Sequence, residues 1–143
     1  MKKLIVMHYE FNRLKNRTIL DFDCVPSRDN TGIRTVEYTN RGEAALHNFK
    51  KMREICDTEL KGMYLGIGTI KNSLMAQTFI NAGADNIICP RLIEEVANVA
   101  DKNNMLWIPG CMTSSEIFRA ENIGAKIERM MNQFPHPYLI SPC

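Results

Sequence analysis

Two charged residues near the end of one predicted strand offer the clearest chemistry in this sequence. Glu37 lies in the run Thr35–Thr39, which alternates and is rich in β-branched and aromatic residues, and Arg41 follows four positions later. A carboxylate enclosed on one face of a strand needs a partner, and enclosure can prepare a carboxyl for proton transfer at neutral pH. Arg41 offers a guanidinium that binds carboxylates with two hydrogen bonds. A structural pair between strand and loop is an equally good interpretation of the composition.

Two further segments carry groups that bind small anions or carbonyls. Gly66-Ile67-Gly68-Thr69 lets a ligand approach the backbone and adds the Thr69 hydroxyl, but it is neither a dinucleotide fingerprint nor a Walker loop. Thr113 lies in residues 112–116, a predicted helix N-terminus whose N–H groups would form an anion cradle. An ordinary capped helix is the more common meaning of that second pattern.

These residues follow predicted strands in a repeating strand–helix pattern. The clearest unit is residues 63–90, in which Ser73 caps a helix, Gly83 ends it, and the second apolar run stops at Pro90. Two strands joined by a crossover helix lie parallel, and ligands collect at their carboxyl ends. The other predicted strands are 4–7, 18–22, 33–39, 105–108, 126–127 and 138–140, and the other helices are 43–59, 93–103 and 116–122, the last capped by Ser114 or Ser115.

The strand ends recur at intervals of about twenty to thirty residues, which is typical of a βα array. We therefore predict one α/β domain over residues 1–143, and one architecture that fits is a (β/α)8 TIM barrel that is incomplete, because eight units need at least ~200 residues. An open parallel sheet is the alternative architecture.

Composition excludes several classes of function. The net charge is +2 and the basic residues are scattered, which argues against nucleic acid as a partner. No apolar run approaches the ~20 residues of a membrane span, and the opening apolar stretch is too short for a signal peptide, so we expect a cytoplasmic protein. The five cysteines form no C-x-x-C pair and the three histidines have no metal-like neighbour, so no metal site is expected.

Three ordered motifs resemble the 2-keto-3-deoxy-6-phosphogluconate / 4-hydroxy-2-oxoglutarate aldolase family. The family's E-x-T-x-R looks like residues 37–41, and its G-x-G-T … A-G-A-x-x-I-x-x-P looks like residues 66–69 and 82–90. Its P-G-x-x-T-x-x-E looks like residues 109–116. Order and spacing both fit across about residues 32–127, so the set is far more specific than any single motif.

The resemblance implies a trimeric, cytoplasmic (β/α)8 barrel and a class I aldolase that needs no cofactor or metal. Its lysine forms a Schiff base with a 2-oxo acid, and the protonated imine accepts electrons during carbon–carbon cleavage to pyruvate and an aldehyde. By this likeness Glu37 is the catalytic acid/base, Arg41, Thr69 and Pro90 bind or shape the substrate site, and Thr113 adds a further substrate contact.

The sequence departs from the family where the Schiff-base lysine is expected. Counted without gaps from Pro109, that position is Arg129, and a guanidinium does not form an imine. Lys126 is displaced by three residues, which would put it on the opposite face of a strand. The Schiff-base lysine is therefore not identifiable in this chain.

Other parts of the family pattern are also missing. The first βα unit is shortened near Asn30, a stretch is absent after Ile127, and no glycine-rich phosphate loops follow Cys143. Omitted segments and a degenerate relative explain these gaps equally well. The first hypothesis is an aldolase, the alternative is an inactive binder of 2-oxo acids or sugar phosphates, and a third is a barrel enzyme that uses Glu37 as a base without an imine.

Overall fold

A computed structural model describes the backbone of residues 6–8 and the whole of residues 35–130. The strands predicted at 18–22 and 138–140 lie outside these residues. The described strands are β1 (Val6–His8), β2 (Thr35–Thr39), β3 (Tyr64–Gly68), β4 (Asn86–Ile88), β5 (Leu106–Ile108), β6 (Gly110–Cys111) and β7 (Arg129–Met130). The described helices are α1 (Ala45–Thr58), α2 (Ser73–Asn81), α3 (Glu94–Lys102) and α4 (Ser114–Asn122).

The described strands form a five-stranded parallel sheet in the order β1-β2-β3-β4-β5, and β6 pairs with β7 in parallel. Helices connect consecutive strands from β2 to β5, as a parallel sheet requires. The predicted α/β class and parallel sheet are confirmed.

Several boundaries differ from the prediction because backbone pairing extends beyond the apolar runs. Strand β3 continues through the glycines to Gly68, since all five of its residues pair with β2. The last described strand begins at Arg129 rather than Lys126. It is therefore residue 129, not residue 126, that pairs with Gly110.

The helix caps also differ by one residue. Asn72, rather than Ser73, caps α2, and its side chain accepts a hydrogen bond from the Met75 N–H. Thr113, rather than Ser114 or Ser115, caps α4. In both cases the residue just before the first helical turn has the extended backbone that a cap needs.

One face of the sheet packs against α1, α2 and α3 and forms the apolar core. Strand residues alternate between faces, so every second residue of β3 to β5 points toward these helices. The rings of Phe49 and Phe79 meet edge to face in this layer, with centroids 5.2 Å apart. Large side chains of this core include Phe49, Met52, Leu65, Ile67, Ile70, Phe79, Ile87, Val96 and Trp107.

The opposite face of the sheet carries the polar residues. Thr35, Glu37 and Asn86 lie on it, and all three are buried. The register aligns Glu37 with Gly66 and Gly66 with Asn86, so these positions share a face across three neighbouring strands. The sheet thus separates an apolar core from a layer of buried polar side chains.

Candidate active site

The Glu37 carboxylate lies over a glycine at the carboxyl end of the neighbouring strand. A Cβ placed on Gly68 would come within 2.0 Å of Glu37 Oε1, so only glycine leaves room for the carboxylate there. Glu37 is only 3% exposed. Glycine inside a strand commonly marks such a close approach. The predicted enclosed carboxylate is therefore present, and it sits beside the Gly68–Thr69 turn.

Arg129 provides a cation to this carboxylate. Its Nη1 donates a hydrogen bond to Glu37 Oε2 over 3.2 Å, across ninety-two positions of sequence. The Glu37 side chain is 3% exposed and the Arg129 side chain 37%, so the acid lies inside and the cation lies nearer to solvent. The Arg129 N–H also donates to the Pro109 carbonyl at 2.9 Å, which anchors the start of β7. The residue counted as the position of the family lysine is thus beside the acid.

The other predicted residues lie in the turns after successive parallel strands, at one edge of the sheet. Arg41 follows β2 and is exposed, Thr69 follows β3, and Pro90 follows β4. The Asn40 N–H donates to the Gly68 carbonyl at 2.9 Å, and this bond fastens the end of β2 to the end of β3. Three of the four predicted binding residues therefore follow strand ends at the same edge of the sheet as Gly68, which the Glu37 carboxylate overlies.

Thr69 has an unusual backbone conformation for a β-branched residue. Its φ is 63°, in the left-handed region. Such a conformation costs of order 1–3 kcal/mol and persists where the surrounding structure imposes it, often at functional turns. The Ile70 N–H donates to the Ile88 carbonyl at 3.3 Å and so holds this turn against β4.

The segment around Thr113 forms a capping box. Glu116 Oε2 accepts hydrogen bonds from the N–H groups of Met112 and Thr113 at 2.8 and 3.0 Å. The Thr113 hydroxyl accepts from the Glu116 N–H at 3.2 Å. These hydrogen bonds hold the pKa of the Glu116 carboxyl below its ordinary value, with the Met112 N–H as the largest cause. The predicted anion cradle is filled by the chain's own carboxylate, so the alternative of a capped helix is the arrangement present.

Two polar groups of the inner face were not predicted as site residues, although Thr39 lies within the motif at residues 37–41. Asn86 Oδ1 and Thr39 Oγ1 are buried and have no hydrogen-bond partner within the described residues. Asn86 lies over Gly66 as Glu37 lies over Gly68, since a Cβ on Gly66 would come within 2.2 Å of Asn86 Oδ1. The signal that could have identified Asn86 is the glycine at position 66, because a glycine inside a strand often marks a side chain that crosses over it.

Cys89 and Lys126 fall away from this cluster. The Trp107 indole N–H contacts Cys89 Sγ at 3.3 Å inside the core, and burial raises the pKa of the Cys89 thiol to about 11. Lys126 lines a cleft with Asn104 and Leu106, at the amino end of β5. Because Glu37 Oε1 lies at the carboxyl end of β3, Lys126 is at the opposite edge of the sheet from the acid.

Two classes of site are not seen in the part of the chain that the structure describes. Within residues 35–130, no group of three or more His, Cys, Asp or Glu side chains is arranged to hold a metal ion. None of the helices described is both long and apolar enough to cross a membrane.

Comparison with known proteins identifies relatives of this chain. The family model for KDPG and KHG aldolase matches residues 22–136. A 2-dehydro-3-deoxy-phosphogluconate aldolase from Pseudoalteromonas atlantica is 32% identical over 93 residues, which cover 65% of this chain and 41% of that protein. The chain therefore spans about two fifths of the length of this curated relative.

Solved structures agree with the sequence match. A 4-hydroxy-2-oxoglutarate/2-dehydro-3-deoxyphosphogluconate aldolase from TTHB1 superposes with a TM-score of 0.66 at 30% identity, covering 78% of this chain and 54% of that one. A KDPG aldolase from Legionella pneumophila, solved with pyruvate as a covalent carbinolamine, superposes with a TM-score of 0.57 at 26% identity. The match covers 65% of this chain and 43% of the Legionella chain. On the family match over most of its length, the chain belongs to the KDPG and KHG aldolase family.

Proposed function

We propose that this protein is a carbon–carbon lyase that cleaves 2-keto-3-deoxy-6-phosphogluconate or 4-hydroxy-2-oxoglutarate to pyruvate and an aldehyde. The observation that carries the proposal is the enclosed Glu37 carboxylate at the Gly68 turn, within the residues that match the family. An enclosed carboxylate with a hydrogen-bonded cation is equipped to move protons during cleavage. In this proposal Glu37 is the catalytic acid/base.

The proposed substrate contacts follow the same edge of the sheet. Arg41 binds the substrate carboxylate, Thr69 contributes its hydroxyl, and the turn at Pro90 shapes the pocket. The N–H and the hydroxyl of Thr113 are both engaged in the helix cap with Glu116. Thr113 would therefore contact the substrate only if these hydrogen bonds to Glu116 were broken. No cofactor or metal enters the reaction.

The experiment is a cleavage assay on each of the two substrates, with pyruvate release followed by a coupled lactate dehydrogenase reaction. We expect release by the natural sequence, and a loss of about 100-fold or more in Glu37→Gln. Glu43→Gln is the matched control, because Glu43 is an exposed carboxylate near the same strand end. Absence of pyruvate release from both substrates would reject the lyase activity.

A second function is favoured by one observation, the arginine that lies beside Glu37 at the position counted for the lysine. A guanidinium forms no imine, so the site would then bind 2-oxo acids or sugar phosphates without cleaving them. This binder gives saturable pyruvate binding in calorimetry, no cleavage, and no covalent adduct on borohydride reduction. Unchanged affinity in Arg41→Ala would reject it.

We further propose a (β/α)8 barrel, a homotrimer and a cytoplasmic location for the working protein. The family likeness supports all three. Apolar side chains at the surface are consistent with an assembly, since Leu74 is 77% and Phe118 65% exposed. Light scattering coupled to size exclusion tests the trimer, and a monomeric mass would reject it.

A further inference from the structure

The Arg129–Glu37 pair is longer than the structural ion pair between Arg53 and Asp85. The structural pair Arg53–Asp85, which fastens α1 to the turn before β4, is 2.7 Å long, as a charge-assisted hydrogen bond should be. Arg129 contacts Glu37 through one nitrogen at 3.2 Å. The remaining side-chain N–H donors of Arg129 have no partner within residues 35–130. A cation that is held loosely and lies near solvent can accept a second anion.

The same face of the sheet holds further unused hydrogen-bonding capacity. Asn86 is 6% exposed, and its Oδ1 accepts no hydrogen bond from the described residues. The Thr39 hydroxyl is likewise buried without a described partner. Buried polar atoms without partners are rare in proteins, and a polar ligand is one of their explanations. This observation is independent of the arginine and points to the same layer.

The chemistry of a guanidinium limits what this layer can do. Arginine stays protonated and does not add to a carbonyl carbon, so position 129 cannot hold a substrate covalently. It can, however, donate parallel hydrogen bonds to a carboxylate or stabilise negative charge that develops on an oxygen. A 2-oxo acid presents both a carboxylate and a carbonyl oxygen on adjacent carbons.

We propose that Arg129, together with Arg41, binds the carboxylate and carbonyl oxygens of a 2-oxo acid, and that Glu37 exchanges a proton at the C3 carbon of that acid without any covalent intermediate. The C3–H bond breaks and the proton passes to a Glu37 oxygen. The C–H electron pair becomes the C2–C3 double bond, and the carbonyl pair moves onto the oxygen that Arg129 faces. The Glu37 carboxyl then exchanges this proton for one from water. Transfer of the new proton to C3 uses the C2–C3 double-bond pair to form the C3–H bond, the oxygen pair reforms the C2 carbonyl, and the 2-oxo acid is restored. This inference rests on the proposed 2-oxo acid site and deepens it.

The test follows deuterium exchange into the methyl group of pyruvate in D2O by proton NMR. The natural sequence is expected to exchange the methyl protons and to yield no pyruvyl adduct after borohydride reduction and mass measurement. Arg129→Met and Glu37→Gln should each slow exchange by about 100-fold or more. Arg119→Met is the matched control, because Arg119 pairs with Glu94 on the surface, and it should exchange as the natural sequence does.

A second variant keeps the inference open to refutation if Arg129→Met does not fold. Arg129→Lys keeps the positive charge and adds an amine beside Glu37, so it should gain a borohydride-trapped pyruvate adduct that the natural sequence lacks. A folded Arg129→Lys without adduct would overturn the placement of residue 129 at the carbonyl carbon.

The failures of the two proposals are distinguishable. A borohydride-trapped adduct on the natural sequence together with pyruvate release would overturn the inference and keep the lyase. Exchange unaffected by Arg129→Met, or pyruvate that binds equally well to that variant, would also overturn the inference alone. If the natural sequence shows no proton exchange, no cleavage and no pyruvate binding, both proposals are overturned.

Discussion

The two faces of the parallel sheet differ in how completely their groups are satisfied. The face toward α1, α2 and α3 is apolar, and its aromatic side chains meet edge to face. The other face buries Glu37 and Asn86 over two glycines and leaves the Asn86 carbonyl oxygen without a described partner. Burial stabilises the first face, whereas on the second it costs free energy unless a ligand or partner completes the hydrogen bonds. The contrast is between an apolar face that stabilises the fold and a polar face that keeps buried groups without described partners.

The largest expected effect on stability comes from the apolar face. Phe49→Ala removes a fully buried ring that contacts both Tyr38 and Phe79, and it should lower the free energy of unfolding by about 3–5 kcal/mol. Tyr64→Ala is the matched aromatic control on the other face, where the ring is 58% exposed, and should cost no more than about 1 kcal/mol. Urea unfolding measures both. Equal losses would remove the distinction between the faces.

The two glycines of β3 sharpen the comparison within the polar face. Gly68→Ala and Gly66→Ala each place a methyl within about 2 Å of a buried polar side chain, Glu37 and Asn86 respectively. Both should destabilise the fold by about 1–3 kcal/mol through overpacking. Only Gly68→Ala should also abolish proton exchange into pyruvate, because only that methyl displaces the carboxylate. If Gly66→Ala impaired exchange as strongly, the two positions would have no separate roles.

A smaller effect of opposite sign is expected at the amide that lacks a partner. Asn86→Leu replaces a buried polar group with an apolar one of similar volume, so the free energy of unfolding should stay constant or rise by about 1 kcal/mol. Thermal and urea unfolding test this in the absence of ligand. A loss of more than about 1 kcal/mol would show that the Asn86 side chain is already satisfied in the apo protein.

A further small effect on stability is expected at the N-terminal cap of α4. Thr113→Ala should lower the free energy of unfolding by about 1 kcal/mol. Ser115→Ala should lower it much less, because Ser115 lies two residues further along the helix, is exposed and does not cap it. The pKa of Glu116 is lowered from 4.5 by its hydrogen bonds, chiefly from the Met112 N–H. Its stabilising contribution is therefore present above pH 4.5 and is lost as the pH falls through the lower folded value. Unfolding curves of the natural sequence and Glu116→Gln should converge on acidification, and parallel curves would contradict this.

The order of elements was predictable because it depends on local patterns. Apolar periodicity, glycine terminators such as Gly83, and the proline after β4 predict the alternation of strand and helix over residues 63–108. Cap positions at Asn72 and Thr113 were missed by one residue, because several neighbouring polar side chains can cap and the backbone angle at the helix start decides between them.

The sequence by itself also determined that residue 129 is an arginine, and that fact alone excludes an imine at this position. Only the tertiary structure decided what the arginine does instead. Arg129 contacts Glu37, a residue ninety-two positions earlier in the chain. Local sequence patterns cannot predict a contact between residues so far apart. The same holds for the glycines of β3, whose need for glycine comes from the side chains of two neighbouring strands that cross above them. Packing across parallel strands, rather than propensity along the chain, sets the geometry of this site.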